Sequence, residues 1–315
     1  MKIIIAAAFK NILIRGTRSP AACFCRFGGK VPRCPFANRP RCAILKRNSR
    51  PRGPLARANR IKGETTMSEC LKAVVLAAGK GTRLRTEGVD LPKVLRLAKG
   101  RPLLRYVLDA LDFLPARDVV LVVGYEGEKV TAAFPGYPHA LQSPQLGTGH
   151  AVQCAQSALE GFDGHILICC GDMPLMGRAA YEKLWETHLS QGNACTLMAG
   201  VADQPLPYGR ILRDGAGDFA RIVEDKDCTP EERAVKELNA GVYIFRSKEL
   251  WRALATLRPD NAQGEYYLTD APAWLLRQGE KVGVCAACTP EEMLGVNTPG
   301  QLEQVEAILK QREES

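Results

Sequence analysis

The feature that most constrains the fold is an alternation of short apolar runs with amphipathic stretches, which begins at Leu71. The runs KAVVLAA (72–78), DVVLVVG (118–124) and HILICCGD (165–172) have the length and composition of buried β-strands. Between the first two, RPLLRYVLDALDFL (101–114) carries its apolar residues at helical spacing. Alternating strands and helices predict an α/β fold with a doubly wound, mainly parallel sheet.

The pattern changes after Ala194. YGRILRDGAGDFARIVE (208–224) places two β-like runs around an Asp-Gly turn, which predicts a hairpin in a smaller β-rich subregion that packs over the sheet. Near the end of the chain, Thr298 is placed to cap a helix that starts near Pro299. There is no repeated hexapeptide, and the sequence therefore excludes a left-handed β-helix.

Charge is distributed unevenly along the 315 residues. Residues 1–66 contain sixteen Lys or Arg against a single acid, Glu64, whereas the remainder contains 27 basic and 33 acidic residues. Because the apolar residues of this basic leader follow neither a helical nor a strand period, we expect it to be disordered. It is also compatible with an organelle transit peptide, or with translation that starts at Met67. We therefore divide the chain into a leader (1–66), a main domain (67–297) and a C-terminal helix (298–315).

Composition also argues against several classes of protein. The opening apolar run is interrupted by Lys10 and Arg15 and is too short to span a bilayer, so no membrane partner is expected. The basic leader lacks aromatic interleaving and any nucleic-acid-binding motif, so no nucleic-acid partner is expected either. The 12 cysteines are scattered, which indicates a reducing compartment, and the Cys285/Cys288 pair lacks the second pair or the nearby histidines of a zinc site.

LAAGKGTRL (76–84) is the first motif that carries chemistry. Gly79 and Gly81 allow the backbone to approach an anion, and Lys80 and Arg83 add positive charge. The motif is not a dinucleotide fingerprint, because Leu84 stands where that fingerprint requires glycine, and the ending of a P-loop is absent. It predicts a phosphate-binding loop, although an ordinary tight turn has a similar composition.

Three further motifs follow in order. LPKVL (91–95) holds Lys93 between Pro92 and apolar residues, where an isolated lysine is usually surface but one close to the glycine-rich loop can bind phosphate. In LQSPQLGTGHA (141–151), the amide of Gln142 can pair with a base edge. Asp172 follows a buried strand, and carboxylates at strand ends of an open α/β sheet face the ligand crevice. Asp172 is therefore a candidate Mg²⁺ ligand.

From Leu71 to Arg312 the sequence resembles the N-acetylglucosamine-1-phosphate uridylyltransferase domain of bacterial GlmU. The blocks that carry the resemblance occur in the family's order: LAAGKGTRL, LPKVL, QLGTGHA, GDMPL, YGRI, VEDKD, LNAGVY, NAQGEYYLTD and GVNTP. The resemblance implies a Rossmann-like nucleotidyltransferase fold. It also implies a cytoplasmic, Mg²⁺-dependent enzyme of nucleotide sugar and cell wall synthesis, which converts UTP and N-acetylglucosamine 1-phosphate to UDP-N-acetylglucosamine and pyrophosphate.

The same resemblance implies a role for individual residues. The nucleotide would be lined by Leu76 and Gly79, with its uracil surrounded by Gln142, Gly147 and Thr148. The catalytic residues that hold the triphosphate and the sugar phosphate would be Arg83 and Lys93. The amino sugar would be faced by Gly209, Glu224 and Asn239, and Mg²⁺ would be bound by Asp172 and Asn297.

Two departures from the family pattern leave questions open. RTEGVD (85–90) makes the segment between Arg83 and Lys93 longer than the family norm. The chain also stops where the hexapeptide half of the bifunctional enzymes begins, so we expect no acetyl transfer, and the oligomeric state is not predicted. The alternatives are another sugar substrate (glucose 1-phosphate or N-acetylmuramate 1-phosphate), another nucleoside triphosphate, or a non-catalytic nucleotide-binding module.

Overall fold

The computed structural model describes residues 70–84, 91–204 and 206–314. The predictions for the leader and for the RTEGVD segment lie outside these residues. Eleven strands are numbered in chain order: β1 (Leu71–Ala77), β2 (Leu97–Ala98), β3 (Arg101–Pro102), β4 (Val119–Val123), β5 (His139–Leu141), β6 (His165–Cys170), β7 (Cys195–Val201), β8 (Arg210–Arg213), β9 (Phe219–Val223), β10 (Glu237–Arg246) and β11 (Val282–Cys288).

The helices of the described residues connect these strands. They are α1 (Leu103–Ala110), α2 (Gly127–Ala133), α3 (Thr148–Cys154), α4 (Arg178–Gln191), α5 (Pro230–Arg233), α6 (Ser247–Leu254), α7 (Asp270–Arg277) and α8 (Pro299–Glu314). Helix α1 is shorter than the apolar pattern of residues 101–114 suggested. Arg101 and Pro102, the first two residues of that pattern, pair instead as strand β3 with β2. The helix ends at Ala110, and Leu111 after it leaves helical geometry but stays buried.

The main sheet confirms the predicted doubly wound, mainly parallel architecture. Its nine strands follow the order β11-β7-β10-β6-β1-β4-β5, with β8 and β9 attached beside β10. Strand β1 is parallel to both β4 and β6, and β11 is parallel to β7, whereas β10 is antiparallel to its neighbours β6 and β7. Of the seven strands in the ordered path, all except β10 run in the same direction. Their carboxyl ends therefore lie at one edge of the sheet, where a ligand crevice is expected.

Both faces of the sheet are buried because successive side chains point to opposite sides. Val75 and Leu121 belong to the core layer that packs with α1 and α4. Val74 and Ile168 belong to the layer on the other face, which packs with α3, α6 and α7. Helices therefore cover both faces, which explains why these strands read as continuous apolar runs in the sequence.

The predicted hairpin is formed by β8 and β9, with Ile211 opposite Ile222. Its turn is held by the carboxylate of Asp214, which accepts hydrogen bonds from the backbone N–H groups of Ala216 (2.9 Å) and Asp218 (3.0 Å). Strand β8 pairs with β10, so the β-rich subregion continues the main sheet rather than forming a separate layer.

Helix α8 begins at Pro299, and the hydroxyl of Thr298 accepts the N–H of Gln301 at 3.3 Å as its cap. Val305 and Leu309 face a small core that includes Leu103. Among the helices of the described residues, none has both the length and the apolar character that crossing a bilayer requires.

Candidate active site

The crevice at the carboxyl edge is built where β1 and β6 end side by side. The glycine-rich loop follows β1, and Gly171 and Asp172 follow β6. The N–H of Gly171 donates to the carbonyl oxygen of Leu76 at 2.9 Å, which continues the pairing of the two strands for one residue beyond β6. Because this bond ties the two loops together, Asp172 leaves the sheet beside the glycine-rich loop.

Lys93 joins the two predicted metal ligands. Its Nζ atom forms an ion pair with Asp172, and it donates a hydrogen bond to Oδ1 of Asn297 at 2.6 Å. The side chains of Lys93 and Asp172 are only 14% and 16% exposed. Because the neighbouring Val94 and Leu95 are buried in the core, the backbone that carries the lysine is fixed.

Asn297 reaches Asp172 through the segment that precedes α8. The N–H of Val296 donates to the backbone oxygen of Asp172 at 3.0 Å. The N–H of Asn297 donates to the side chain of Gln301 at 2.8 Å. These two bonds place a residue far along the chain next to the end of β6.

The oxygens of Asp172 and Asn297 suit a small, hard cation. Both contact one nitrogen atom of Lys93, so they are close enough to bind a single ion. In the described part of the chain, no group of three or more His, Cys, Asp or Glu residues is arranged to hold a metal. One carboxylate and one amide oxygen, completed by water and phosphate, match what Mg²⁺ accepts in proteins.

A cavity of about 220 Å³ opens beside the glycine-rich loop. Five of the residues predicted to bind the nucleotide line it: Leu76, Gly79, Gln142, Gly147 and Thr148. The amide nitrogen of Gln145 donates to the backbone oxygen of Ala78, and both residues also line the cavity. The sequence motifs at 76–84 and 141–151 therefore meet at one site.

The loop at Gly147 requires glycine. Its φ is +108°, and a Cβ atom there would lie 2.7 Å from the backbone oxygen of Tyr266. Two hydrogen bonds hold the same contact: the N–H of Gly149 donates to Tyr266 at 2.8 Å, and the hydroxyl of Thr148 accepts the N–H of Leu268 at 3.0 Å. The NAQGEYYLTD segment therefore supports the cavity wall.

A larger cavity, of about 700 Å³, is lined in part by Asn297, the hydrogen-bond partner of Lys93. Its lining includes Arg83, Tyr208, Glu224, Lys226 and Asn297. Arg83 is exposed, so its guanidinium group is accessible to a ligand in this cavity. Asn297 contributes both to this lining and to the contact with Lys93.

Glu224 is a partly buried carboxylate in the larger cavity. Burial is the main cause that raises its pKa, while the hydroxyl of Thr269, which donates to Oε1 at 3.0 Å, acts in the opposite direction. A Cβ atom at Gly209 would lie 3.6 Å from Oε2 of Glu224 and 2.9 Å from a methyl carbon of Ile222. Glycine at this position therefore keeps the space beside the carboxylate open.

Asn239 differs from the other predicted sugar-binding residues. The residue is 6% exposed, its Nδ2 donates to the hydroxyl of Tyr243 at 2.7 Å, and its Oδ1 accepts the N–H of Gly241 at 3.2 Å. Both ends of the amide thus have protein partners. Of the described residues, those that line the larger cavity do not include Asn239.

The model of one protein family, the MobA-like NTP transferase domain, matches residues 73–271, which is more than half of the chain and includes most of β1 and all of β6. The chain belongs to the MobA-like NTP transferase family. It is therefore a nucleotidyltransferase. Enzymes of this family use a divalent metal ion, in agreement with the paired oxygens of Asp172 and Asn297.

Curated relatives of this NTP transferase include the bifunctional protein GlmU of Pelotomaculum thermopropionicum, which is 43% identical over 243 residues. The bifunctional protein GlmU of Streptococcus suis is 44% identical over 241 residues. These alignments cover 77% and 76% of this chain but 52% of each relative. The chain thus spans about half the length of the curated relatives that it matches.

A similar solved structure is that of a putative glucose-1-phosphate thymidylyltransferase from Bacillus anthracis in complex with a sucrose. It has a TM-score of 0.59 and 20% sequence identity, and the match covers 76% of this NTP transferase chain and 95% of that one. This likeness confirms the nucleotidyltransferase-like fold.

Tyr208 and Thr269 are site residues that the sequence did not single out. The hydroxyl of Tyr208 donates to the backbone oxygen of Met293 at 2.7 Å and accepts the N–H of Gly295 at 3.2 Å, which positions the segment that carries Asn297. Thr269 binds Glu224. Both lie inside motif blocks, YGRI and NAQGEYYLTD, but their partners are distant in sequence, and no local pattern could have indicated these contacts.

Proposed function

We propose that this NTP transferase transfers the uridylyl group of UTP to N-acetylglucosamine 1-phosphate in the cytoplasm, with Mg²⁺, and releases pyrophosphate. The observation that carries the proposal is that Lys93 lies close to residues that line two different cavities. The Cδ atom of Lys93 lies 3.9 Å from where Gly79 would carry a Cβ atom, and Gly79 lines the smaller cavity. Asn297, the partner of Lys93, lines the larger one.

Two cavities with one positively charged side chain, Lys93, close to both suit a reaction between two phosphorylated substrates. The nucleoside part of UTP would occupy the smaller cavity, against Leu76, Gln142, Gly147 and Thr148. The sugar would occupy the larger cavity, near Gly209 and Glu224. Their phosphates would then meet at Lys93 and Arg83, whose positive charges offset the repulsion between two anionic substrates.

The chemistry would be an in-line displacement. A phosphate oxygen of the sugar 1-phosphate attacks the α-phosphorus of UTP, and the bond to the bridging oxygen of pyrophosphate breaks. No protein nucleophile is required, so the protein acts by positioning the substrates and stabilising negative charge. Mg²⁺, when bound, would be held by Asp172 and Asn297 and would neutralise phosphate charge.

Specificity for an amino sugar would come from Glu224, whose Oε2 accepts no hydrogen bond from the described residues and lies beside the space kept open by Gly209. An oxygen acceptor in that position suits a sugar hydroxyl or an amide N–H. We assign Asn239 a supporting contribution, because its amide already binds Tyr243 and Gly241 and its backbone N–H donates to the carbonyl of Gly209 at 2.8 Å.

A coupled pyrophosphate-release assay tests the proposal. The purified chain is incubated with each of UTP, dTTP, CTP and GTP, combined with N-acetylglucosamine 1-phosphate, glucose 1-phosphate or N-acetylmuramate 1-phosphate, and with Mg²⁺. We expect the highest kcat/KM for UTP with N-acetylglucosamine 1-phosphate. A preference for another pair would replace the substrates named here. Nucleotide binding without pyrophosphate release from any pair would show that this chain is not catalytic.

A further inference from the structure

The carboxamide of Gln142 has a defined orientation in the smaller cavity. Its Nε2 atom lies 2.9 Å from the backbone oxygen of Gly147. A backbone carbonyl oxygen accepts hydrogen bonds and cannot donate them, so the atom that faces it must be the NH₂ group. The orientation of the amide therefore follows from the chemistry of its neighbour.

The second hydrogen of that NH₂ group has a partner of its own. Nε2 of Gln142 lies 3.3 Å from Nδ1 of His150, on the first turns of α3. For this contact to be a hydrogen bond, Nδ1 must be unprotonated, and the ring proton must be on Nε2. Nε2 of His150 lies 3.8 Å from Sγ of Cys154, one helical turn further along.

These two bonds leave the carbonyl oxygen of Gln142 for a ligand. Both hydrogens of its NH₂ group are used inside the protein, and no described residue donates a hydrogen bond to its Oε1 atom. The residue is only 5% exposed, and it lines the smaller cavity. Gln142 therefore presents an acceptor, and not a donor, to whatever occupies the cavity.

We propose that His150 is a positioning residue for base selection, which holds the Gln142 amide with its oxygen facing the base. This inference rests on the proposed function. An acceptor at this position matches the N3–H donor of uracil or thymine and opposes the N3 lone pair of cytosine. His150 does not line the cavity itself and acts only through Gln142.

The role of His150 is tested with two substitutions and the ratio of kcat/KM for UTP to that for CTP. In His150→Phe, the amide loses one of its two acceptors, and only the carbonyl of Gly147 still opposes a turn of the NH₂ group toward cytosine. We therefore expect the ratio to fall on the order of tenfold. In His150→Asn, the side-chain oxygen can replace Nδ1 as the acceptor, so we expect the ratio to recover at least half of that loss on a logarithmic scale.

A merely structural role for His150 gives a different result. Loss of packing lowers kcat/KM for UTP and CTP by the same factor and leaves their ratio unchanged, which would overturn the proposal. His139→Phe, a change of an exposed histidine on β5, is the matched control and should leave the ratio as in the wild type. Equal ratios in His150→Phe and His150→Asn, both below wild type, would also contradict the proposal.

A spectroscopic measurement on the wild-type protein does not depend on whether the variants fold. The chain has four histidines, so a ¹⁵N spectrum of the ring nitrogens contains few signals. The His150 signals are those that are absent from the spectrum of His150→Asn. If that variant is unfolded, they are the signals that remain unassigned after the other three histidines are substituted in turn. We expect the neutral His150 ring to carry its proton on Nε2. A proton on Nδ1 would overturn the proposal.

Failure of the proposed function is distinguishable from failure of this inference. If the wild-type chain releases no pyrophosphate from any substrate pair, the proposed reaction is wrong, and the equilibrium Kd values of UTP and CTP replace kcat/KM. Tighter binding of UTP than CTP, lost in His150→Phe and restored in His150→Asn, would still support the positioning role. Kd values for UTP and CTP that do not change when His150 is substituted would reject the positioning role.

Discussion

Lys93 and Asn297, 204 positions apart in sequence, are joined by a hydrogen bond of 2.6 Å from Nζ to Oδ1. The same Nζ atom forms an ion pair with Asp172. The ammonium group therefore contacts both oxygens that we propose as ligands of a divalent cation. Two positive charges repel strongly at such distances, so we expect a bound cation to displace the ammonium group toward the phosphates.

Lys93→Met is expected to lower turnover on the order of 10²-fold, because a fixed positive charge between the substrates is lost. In the absence of nucleotide the same variant is expected to bind Mn²⁺ more tightly than the wild type, since the competing ammonium group is removed. Pyrophosphate release and Mn²⁺ electron paramagnetic resonance measure the two effects. Lys281→Met, a change of an exposed lysine near β11, is the control. Wild-type turnover in Lys93→Met would reject its phosphate-binding role.

Asp172→Asn is expected to weaken divalent-cation binding at least tenfold, because the amide keeps an oxygen but loses the charge that attracts the ion. The Mg²⁺ concentration that gives half-maximal activity should rise accordingly. Asp163→Asn is a suitable comparison, because Asp163 is exposed and pairs only with Lys248 among the described residues. An unchanged Mg²⁺ dependence in Asp172→Asn would remove Asp172 from the metal site.

Glu224→Gln is expected to raise KM for the sugar phosphate on the order of tenfold and to leave KM for UTP nearly unchanged. The amide replaces an acceptor with a donor at one of its two terminal positions, so a hydrogen bond from the sugar is lost. Steady-state kinetics with each substrate varied in turn separate the two constants. Glu186→Gln, on the exposed face of α4, controls for loss of charge. Equal increases in both KM values would contradict a sugar-specific role.

Gly147→Ala is expected to destabilise the protein by roughly 1–3 kcal/mol, through its positive φ and the contact of the new Cβ atom with Tyr266. Thermal unfolding and the Kd of UTP should both show the change. Gly136→Ala serves as the comparison, because nothing lies within 4 Å of a Cβ atom there and its φ is not positive. If both variants unfold at the wild-type temperature, the Gly147 loop tolerates a side chain.

The stability of the fold is expected to decrease as the pH falls from about 6.5 toward 3. Burial is the main cause that lowers the pKa of His188 to about 3, and the neighbouring His165, whose Nδ1 lies 2.9 Å from Nε2 of His188, adds to the effect. In this range the unfolded chain binds a proton that the folded protein excludes. The stability that neutral His188 contributes is therefore fully present above the pKa of this histidine in the unfolded chain, and it is lost as the pH falls below that value.

Chemical denaturation at a series of pH values measures this dependence, with a slope of about 1.4 kcal/mol per pH unit attributed to His188. His188→Asn should flatten the dependence, whereas the change of exposed His139 to Asn should preserve it. The same slope in all three proteins would assign the acid sensitivity to other groups.

Sequence patterns alone were sufficient for the architecture and for part of the site. Strand and helix periods follow from which residues are buried, so the runs that became β1, β4 and β6 were recognisable one by one. Asp172 could be placed in the crevice because it directly follows a buried strand, and parallel strands end at a common edge. Gly79 and Gly147 were identifiable for a similar local reason, since glycines that precede or follow such elements permit close approach.

Asn297, Glu224 and Asn239 were placed only by family resemblance, because a lone polar residue has no local signature. The tertiary structure decided which of them converge: Asn297 meets Asp172 through Val296, Glu224 faces a cavity with Thr269 behind it, and the amide of Asn239 is occupied by its neighbours.

Local sequence determined the elements of this protein, since hydrophobic period and turn residues act over a few positions. The tertiary structure alone decided how side chains from different elements share hydrogen bonds, as in Lys93 with Asn297 and Gln142 with His150. The physical reason is that a hydrogen bond depends on distance and direction in space, and residues separated by several elements acquire these only when the sheet and its helices pack together.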